Sequence, residues 1–151
     1  MSDLISYEIK INGSSISDTI EIQSIHIDQS INKIANAQIT MFEKINKDSR
    51  TREMNSSSFN PGNKVSIALG YDNSNTVVFE GIVTKQSIKL EGSSLKFTLK
   101  CHDEAIRMSV GRKNKTYSNQ RDSDIMSTII KGYSGLSANV SNTDTVRPVQ
   151  V

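Results

Sequence analysis

Cys101, His102 and Asp103 set a thiol, an imidazole and a carboxylate side by side, the groups from which a nucleophilic centre is built. Such a centre needs the thiol within hydrogen-bond reach of the base. Successive side chains of a strand point to opposite faces, so Cys101 and His102 cannot readily meet, and Cys101 shares the parity of Leu95, Phe97 and Leu99. It reads as a core cysteine, a setting in which the free thiol behaves as a small hydrophobe. His26 is the other of two histidines, and these with one cysteine, at no metal-ligand spacing, make no zinc site. A glycine-rich phosphate loop, a nucleophile elbow and paired acidic residues in a cleft pattern are missing too. No catalytic, cofactor-binding or metal-binding residue is expected, and the chain reads as a non-enzyme.

One charged stretch remains. Between Ala105 and Arg121 stand five basic residues, Arg107, Arg112, Lys113, Lys115 and Arg121, and no acidic one. They form either a solvated link between subdomains or a surface for phosphate, nucleic acid or an acidic partner face. Tyr117 is the only aromatic there, so the stacking platform for single-stranded nucleic acid is missing. A neighbouring subunit is the favoured partner, and no nucleic acid is expected. Asp122 and Asp124 straddle a helix start, where unpaired amides favour carboxylates, and read as caps.

The elements that position these groups are mostly strands. Tyr7, Ile9 and Ile11 alternate with Glu8 and Lys10 and run into Asn12-Gly13, a pair suited to positive φ in a tight hairpin. From Ile20 to Asp28 the apolar parity switches between Ile22 and Ile25, which predicts a bulge near Gln23 and Ser24. Asn36 to Phe42 alternates again, and the polar stretch from Glu43 to Phe59 reads as a long exposed loop of a length that often serves binding. Val65, Ile67 and Leu69 share a face, Asp72-Asn73-Ser74-Asn75 connects, and Thr76 to Leu90 forms a long strand or a bent pair. Gly92 can lead a two-residue turn of type II′ that sets Leu90 against Leu95, Ile88 against Phe97, Gln86 against Leu99 and Thr84 against Cys101.

After Cys101 the period changes. Asp103 can cap a short helix through Met108 with Gly111 as its stop. A better helix starts at Asp122 or Ser123 and carries Ile125, Met126, Ile129, Ile130 and Tyr133 on one stripe, ended by Gly132 and Gly135. The tail from Ser137 to Val151 is polar and patternless apart from Val146 and Val149. The expected fold is mainly β: a small antiparallel β-barrel over 1–111, then the start of a helix-containing subdomain over 112–151.

Composition agrees. Nineteen Ile against six Leu favours strands, because branching at Cβ suits a pleated surface. The lone Cys101 excludes an internal disulfide, and Met1 to Ser6 lack a signal-peptide pattern, so synthesis in a reducing compartment is expected. No apolar run reaches the roughly 20 residues that cross a bilayer. The formal net charge of +2 implies no polyanionic partner.

Two blocks carry a family resemblance. Pro61-Gly62-Asn63-Lys64-Val65-Ser66-Ile67-Ala68-Leu69-Gly70-Tyr71 and Val78-Phe79-Glu80-Gly81-Ile82-Val83-Thr84 resemble the central block of VgrG-type spike proteins and phage baseplate hub (late control protein D-like) proteins. Leu99-Lys100-Cys101-His102-Asp103-Glu104-Ala105, Tyr117 and Asp124-Ile125-Met126-Ser127-Thr128-Ile129-Ile130 are similar to the family's downstream portion, giving coverage from roughly Tyr7 to Leu136. The resemblance implies a structural part of a contractile injection machine, a type VI secretion spike base or phage-tail-like baseplate hub. In full length it would form a trimer of paired barrels under a spike, docked on tube and baseplate components and in some cases loaded with secreted effectors. It also implies assembly in the cytoplasm and export by contraction. Ending at Val151, the chain lacks the family's second barrel and spike and is expected to be a piece of a longer protein. Gly62, Gly70 and Gly81 read as backbone determinants, and Val65, Ile67, Leu69, Phe79, Ile82, Leu95, Phe97 and Leu99 as core. The rival expectation is an independent β-barrel module that binds carbohydrate or peptide through the 43–59 loop, whose one aromatic is Phe59.

Overall fold

The computed structural model describes residues 5–44, 57–92 and 94–151. Seven strands form one antiparallel sheet: β1 (Ile5–Ile11), β2 (Ser14–Ser15), β3 (Glu21–Asp28), β4 (Asn36–Lys44), β5 (Lys64–Tyr71), β6 (Ser74–Glu91) and β7 (Ser94–His102). Their spatial order is β2-β1-β5-β6-β7-β4-β3. A two-stranded ribbon of β8 (Tyr117–Arg121) and β9 (Val146–Gln150), with α1 (Asp122–Lys131) following β8, makes up most of the rest. The chain divides into two compact units, Met1–Asp103 and Glu104–Val151. The break falls ahead of the Gly111 stop.

The first unit buries its core on one face of one sheet. Ile39, Met41, Ile67 and Leu99 are all 0% exposed. The only helix described in this unit is the three-residue 3-10 turn Ser57–Phe59, which contributes Phe59. A lone sheet reaches such burial only by curling its inner face on itself. Among the described residues no ladder joins β3 to β1, so the curl is open along that seam. A shallow cleft of about 310 Å3 lies there, lined from β1 by Tyr7, Glu8 and Ile9 and from the other side by Ile20 and Ile22. The mainly β expectation holds.

Local chemistry sets the registers. Asn12-Gly13 (φ 51° and 85°) and Asp72-Asn73 (φ 49° and 63°) are two-residue turns with both residues at positive φ, the type I′ geometry whose twist matches the flanking strands. The second is tighter than the four-residue connection expected, and Ser74 already belongs to β6. The β3–β4 register shifts between Ile22 and Ser24, as the parity switch requires. β6 is one strand of 18 residues and needs two bulges to serve two neighbours. Val78 is the unpaired residue against β5, and Thr84 against β7.

The expected pairings of Leu90 with Leu95, Ile88 with Phe97 and Gln86 with Leu99 are all present. Thr84 with Cys101 is not: the Thr84 bulge moves the register by one, and Val83 faces Cys101. Gly92 has the positive φ (62°) that a II′ turn asks of its first residue, while Ser93 lies outside the described residues. Glu43 and Lys44 extend β4 and are not loop, and residues 45–56 of the expected loop lie outside the described residues. A Cβ on Gly81 would stand 2.2 Å from the His102 carbonyl oxygen, and one on Gly70 2.0 Å from that of Ser74, so both positions require glycine.

In the second unit the short helix expected after Asp103 is a 3-10 helix, Glu104–Ser109. Asp122 and Asp124 sit in the first turn of α1, but the cap residue is Arg121 and no side chain caps the helix. Asp122 instead accepts a hydrogen bond from Gln150 Nε2 and stands 3.5 Å from Arg147 Nε. The tail is therefore not patternless: Val146–Gln150 pairs with β8, and Ser123 and Thr143 hydrogen-bond to one another through hydroxyl and backbone. Short strands with little apolar alternation leave no period to read, so this ribbon escapes sequence inspection.

Candidate functional site

The Cys101-His102-Asp103 trio is separated by the sheet it sits in. Cys101 is wholly buried, and desolvation of the thiolate pushes its pKa up to about 12, the reverse of what a nucleophilic cysteine needs. His102 points to the other face, where its Nδ1 lies 2.7 Å from Thr84 Oγ1. That hydroxyl donates to the Lys100 carbonyl at 3.0 Å, which leaves Nδ1–H of His102 as the donor to Oγ1. The bulge at Thr84 is what brings the two side chains together. Among the described residues no three His, Cys, Asp or Glu side chains cluster as metal ligands would.

The five basic residues all fall in the second unit. Arg107 pairs with Glu104 at 3.6 Å, Lys113 lies 4.3 Å over the Tyr133 ring and Lys115 5.2 Å over Tyr117. Arg112 and Arg121 are exposed. Arg107, Lys113 and Lys115 thus each contact a group of their own unit, while Arg112, Lys113, Lys115 and Arg121 are all exposed. Asp122, which the Gln150 hydrogen bond and the nearby Arg147 guanidinium hold below the usual carboxylate range, lies next to Arg121 in sequence.

The rival loop reading loses its aromatic. Phe59 is 3% exposed and packs in the core, so it offers no platform for a sugar ring.

A surface that inspection of the sequence misses lies at the β6–β7 hairpin. β5 pairs with β6 only as far as Ile82, so β6 overhangs β5 from Thr84 to Glu91. On that overhang Ile88 is 54% and Leu90 63% exposed, although their parity is that of the core and Phe97, the cross-strand partner of Ile88, is buried. Alternation reports which face a residue shares. It cannot report whether another strand covers that face.

The fold is similar to that of solved phage-tail and type VI secretion proteins. The chain aligns over 85% of its length with the 43 kDa tail protein of prophage MuSo2 from Shewanella oneidensis, at 14% identity and a TM-score of 0.65. It aligns over 95% with a type VI secretion component from E. coli, at 12% identity and 0.67. Against the Francisella PdpA–VgrG complex it covers 96%, at 14% identity and 0.61. It spans 37%, 38% and 22% of those three chains. No curated protein matches the sequence significantly. The chain belongs to the Alg8 N-terminal domain family, whose model matches residues 1–151. That family differs from the one the sequence blocks resemble, while the fold is the one the resemblance implies.

Proposed function

We propose that this chain is a structural module of a contractile injection machine, a spike base or phage-tail-like baseplate hub, that works by shape-matched association with like subunits and docking on the tube. The observation that carries the reading is the fold match across 95% of the chain to a type VI secretion component. The site chemistry supports it. A buried neutral thiol and a histidine tied to a threonine hydroxyl offer no nucleophile, so no catalytic step belongs to this reading. Assembly in the cytoplasm, a trimer of the full-length protein and export by contraction follow from the same reading. Arg112 and Arg121 supply the positive face toward an acidic partner surface.

The test is affinity capture of the full-length gene product from its own cells, with mass spectrometry of what co-purifies. Tube, sheath or baseplate proteins are expected. The double change Arg112→Glu and Arg121→Glu is expected to reduce their recovery about ten-fold, since like charges across an interface oppose docking. Capture of none of these, with binding to a glycan or peptide instead, would transfer the function to an independent binding module.

A further inference from the structure

We infer that the β6–β7 hairpin takes an extended, acidic segment of another protein as an added strand on the open edge of β6, residues 84–91. The inference stands on the residues of this hairpin and does not depend on the assembly reading. Backbone, charge and apolar surface coincide on that edge. Val83 still bonds through its N–H and C=O to Asn63 and Gly62, at 2.8 Å each, so the open stretch starts at Thr84. From there to Glu91, among the described residues, only the β7 side of the strand is paired. Free donors and acceptors along a strand edge are the template for strand addition. On the inner face of the same stretch Ile88 and Leu90 are exposed.

The outer face carries the charge. Lys85 stands directly opposite Lys100 and Lys89 directly opposite Lys96, with Ser87 opposite Thr98 between them. Like charges in facing positions oppose each other. Glu91 lies 3.7 Å from Lys89 and 3.5 Å from Lys96, and Lys96 also lies 5.6 Å from the Phe42 ring centroid. Lys85 and Lys100 are exposed, and no carboxylate among the described residues forms an ion pair with either. A carboxylate laid over this face relieves a repulsion that the fold leaves in place. Nucleic acid would also neutralise the lysines, but it would leave the strand edge and both apolar side chains uncovered. It would find no stacking platform either, since the aromatics of β6 and β7, Phe79 and Phe97, are buried. A strand uses all three features. Its side chains alternate between faces, so the one that fits sets carboxylates opposite Lys85 and Lys89, about 13 Å apart, and apolar side chains opposite Ile88 and Leu90. Added antiparallel, its order is apolar, acidic, apolar, polar, polar, acidic. The lysines then act as a filter that opposes a basic strand and admits an acidic one.

The experiment is a titration of the 151-residue chain, followed by its amide NMR spectrum, with a synthetic peptide of that order made from valine, glutamate and threonine. Saturable binding is expected, with slowed amide exchange confined to the stretch from Thr84 to Glu91. Lysines in place of the peptide's glutamates, or Lys85→Glu with Lys89→Glu in the chain, should each weaken binding about ten-fold, and the exchanged chain should prefer the lysine peptide. Circular dichroism shows that the exchanged chain folds. No binding of the acidic peptide, equal binding of the acidic and lysine peptides, or protection elsewhere than on β6 overturns the added strand. So does a thymidine octanucleotide that binds the same lysines more tightly than the peptide does, which would make the face a polyanion site. Each of these results is separate from the capture of tube and baseplate proteins, on which the function reading stands.

Discussion

At the scale of single residues the decisive quantity is what surrounds each reactive group. Cys101 is ionised only when unfolding exposes it, so a thiol reagent at pH 8 should titrate no cysteine in the native chain and one in denaturant. The sign of the pH effect follows. The folded pKa is raised to about 12, so the contribution to stability is full below the ordinary thiol pKa and is lost as pH rises toward 12, read as a falling denaturation midpoint above pH 9. Asp122 works the other way. Its carboxyl is depressed, so its hold on Gln150 and Arg147 persists at neutral pH and is lost as pH falls through the lowered value; β9 amides should exchange faster there. Phe97→Ala should cost about 3–5 kcal/mol in a urea titration, because the cavity opens in a face with no second layer to collapse into it. Gly81→Ala should do at least as much damage, since its Cβ meets backbone and not a movable side chain.

At the scale of elements, bulges decide more than propensity. The parity switch between Ile22 and Ile25 makes the β3 bulge legible in advance, because an unbulged strand would expose one half. Nothing comparable marks Thr84: the residues on either side of it, Val83 and Lys85, leave no apolar mismatch to notice, so the pairing of Thr84 with Cys101 was a natural but wrong extension of a correct hairpin register. Deleting Thr84 should remove the bulge and leave the pairs Val83–Cys101 and Lys85–Lys100 consecutive in a regular ladder, with Gln86, Ile88 and Leu90 still on the inner face. The cooperative thermal transition is expected to survive, and Thr84→Ala, which removes the hydrogen bonds to His102 and to the Lys100 carbonyl, should lower the midpoint by a few degrees. Phe59 shows the same limit from another side. Polar neighbours make it read as loop, yet the 3-10 turn places it in the core.

At the scale of the whole molecule, the described residues leave Ile88 and Leu90 exposed on a face that elsewhere carries the core, and the proposed strand addition would cover them.

What the sequence determined by itself was everything local: strand alternation, the Asn12-Gly13 turn, the Leu90–Leu95 register of the β6–β7 hairpin, the β3 bulge, the α1 helix and the inner parity of Cys101. Each depends on side chains within a few residues of one another. Tertiary structure alone decided the 18-residue reach of β6, the Thr84 register shift, the pairing of β9 with β8 and the burial of Phe59. It also decided that Ile88 and Leu90 stay uncovered despite core parity, because burial depends on where a distant strand ends, here β5 at Lys64, and the residues of β6 carry no record of that.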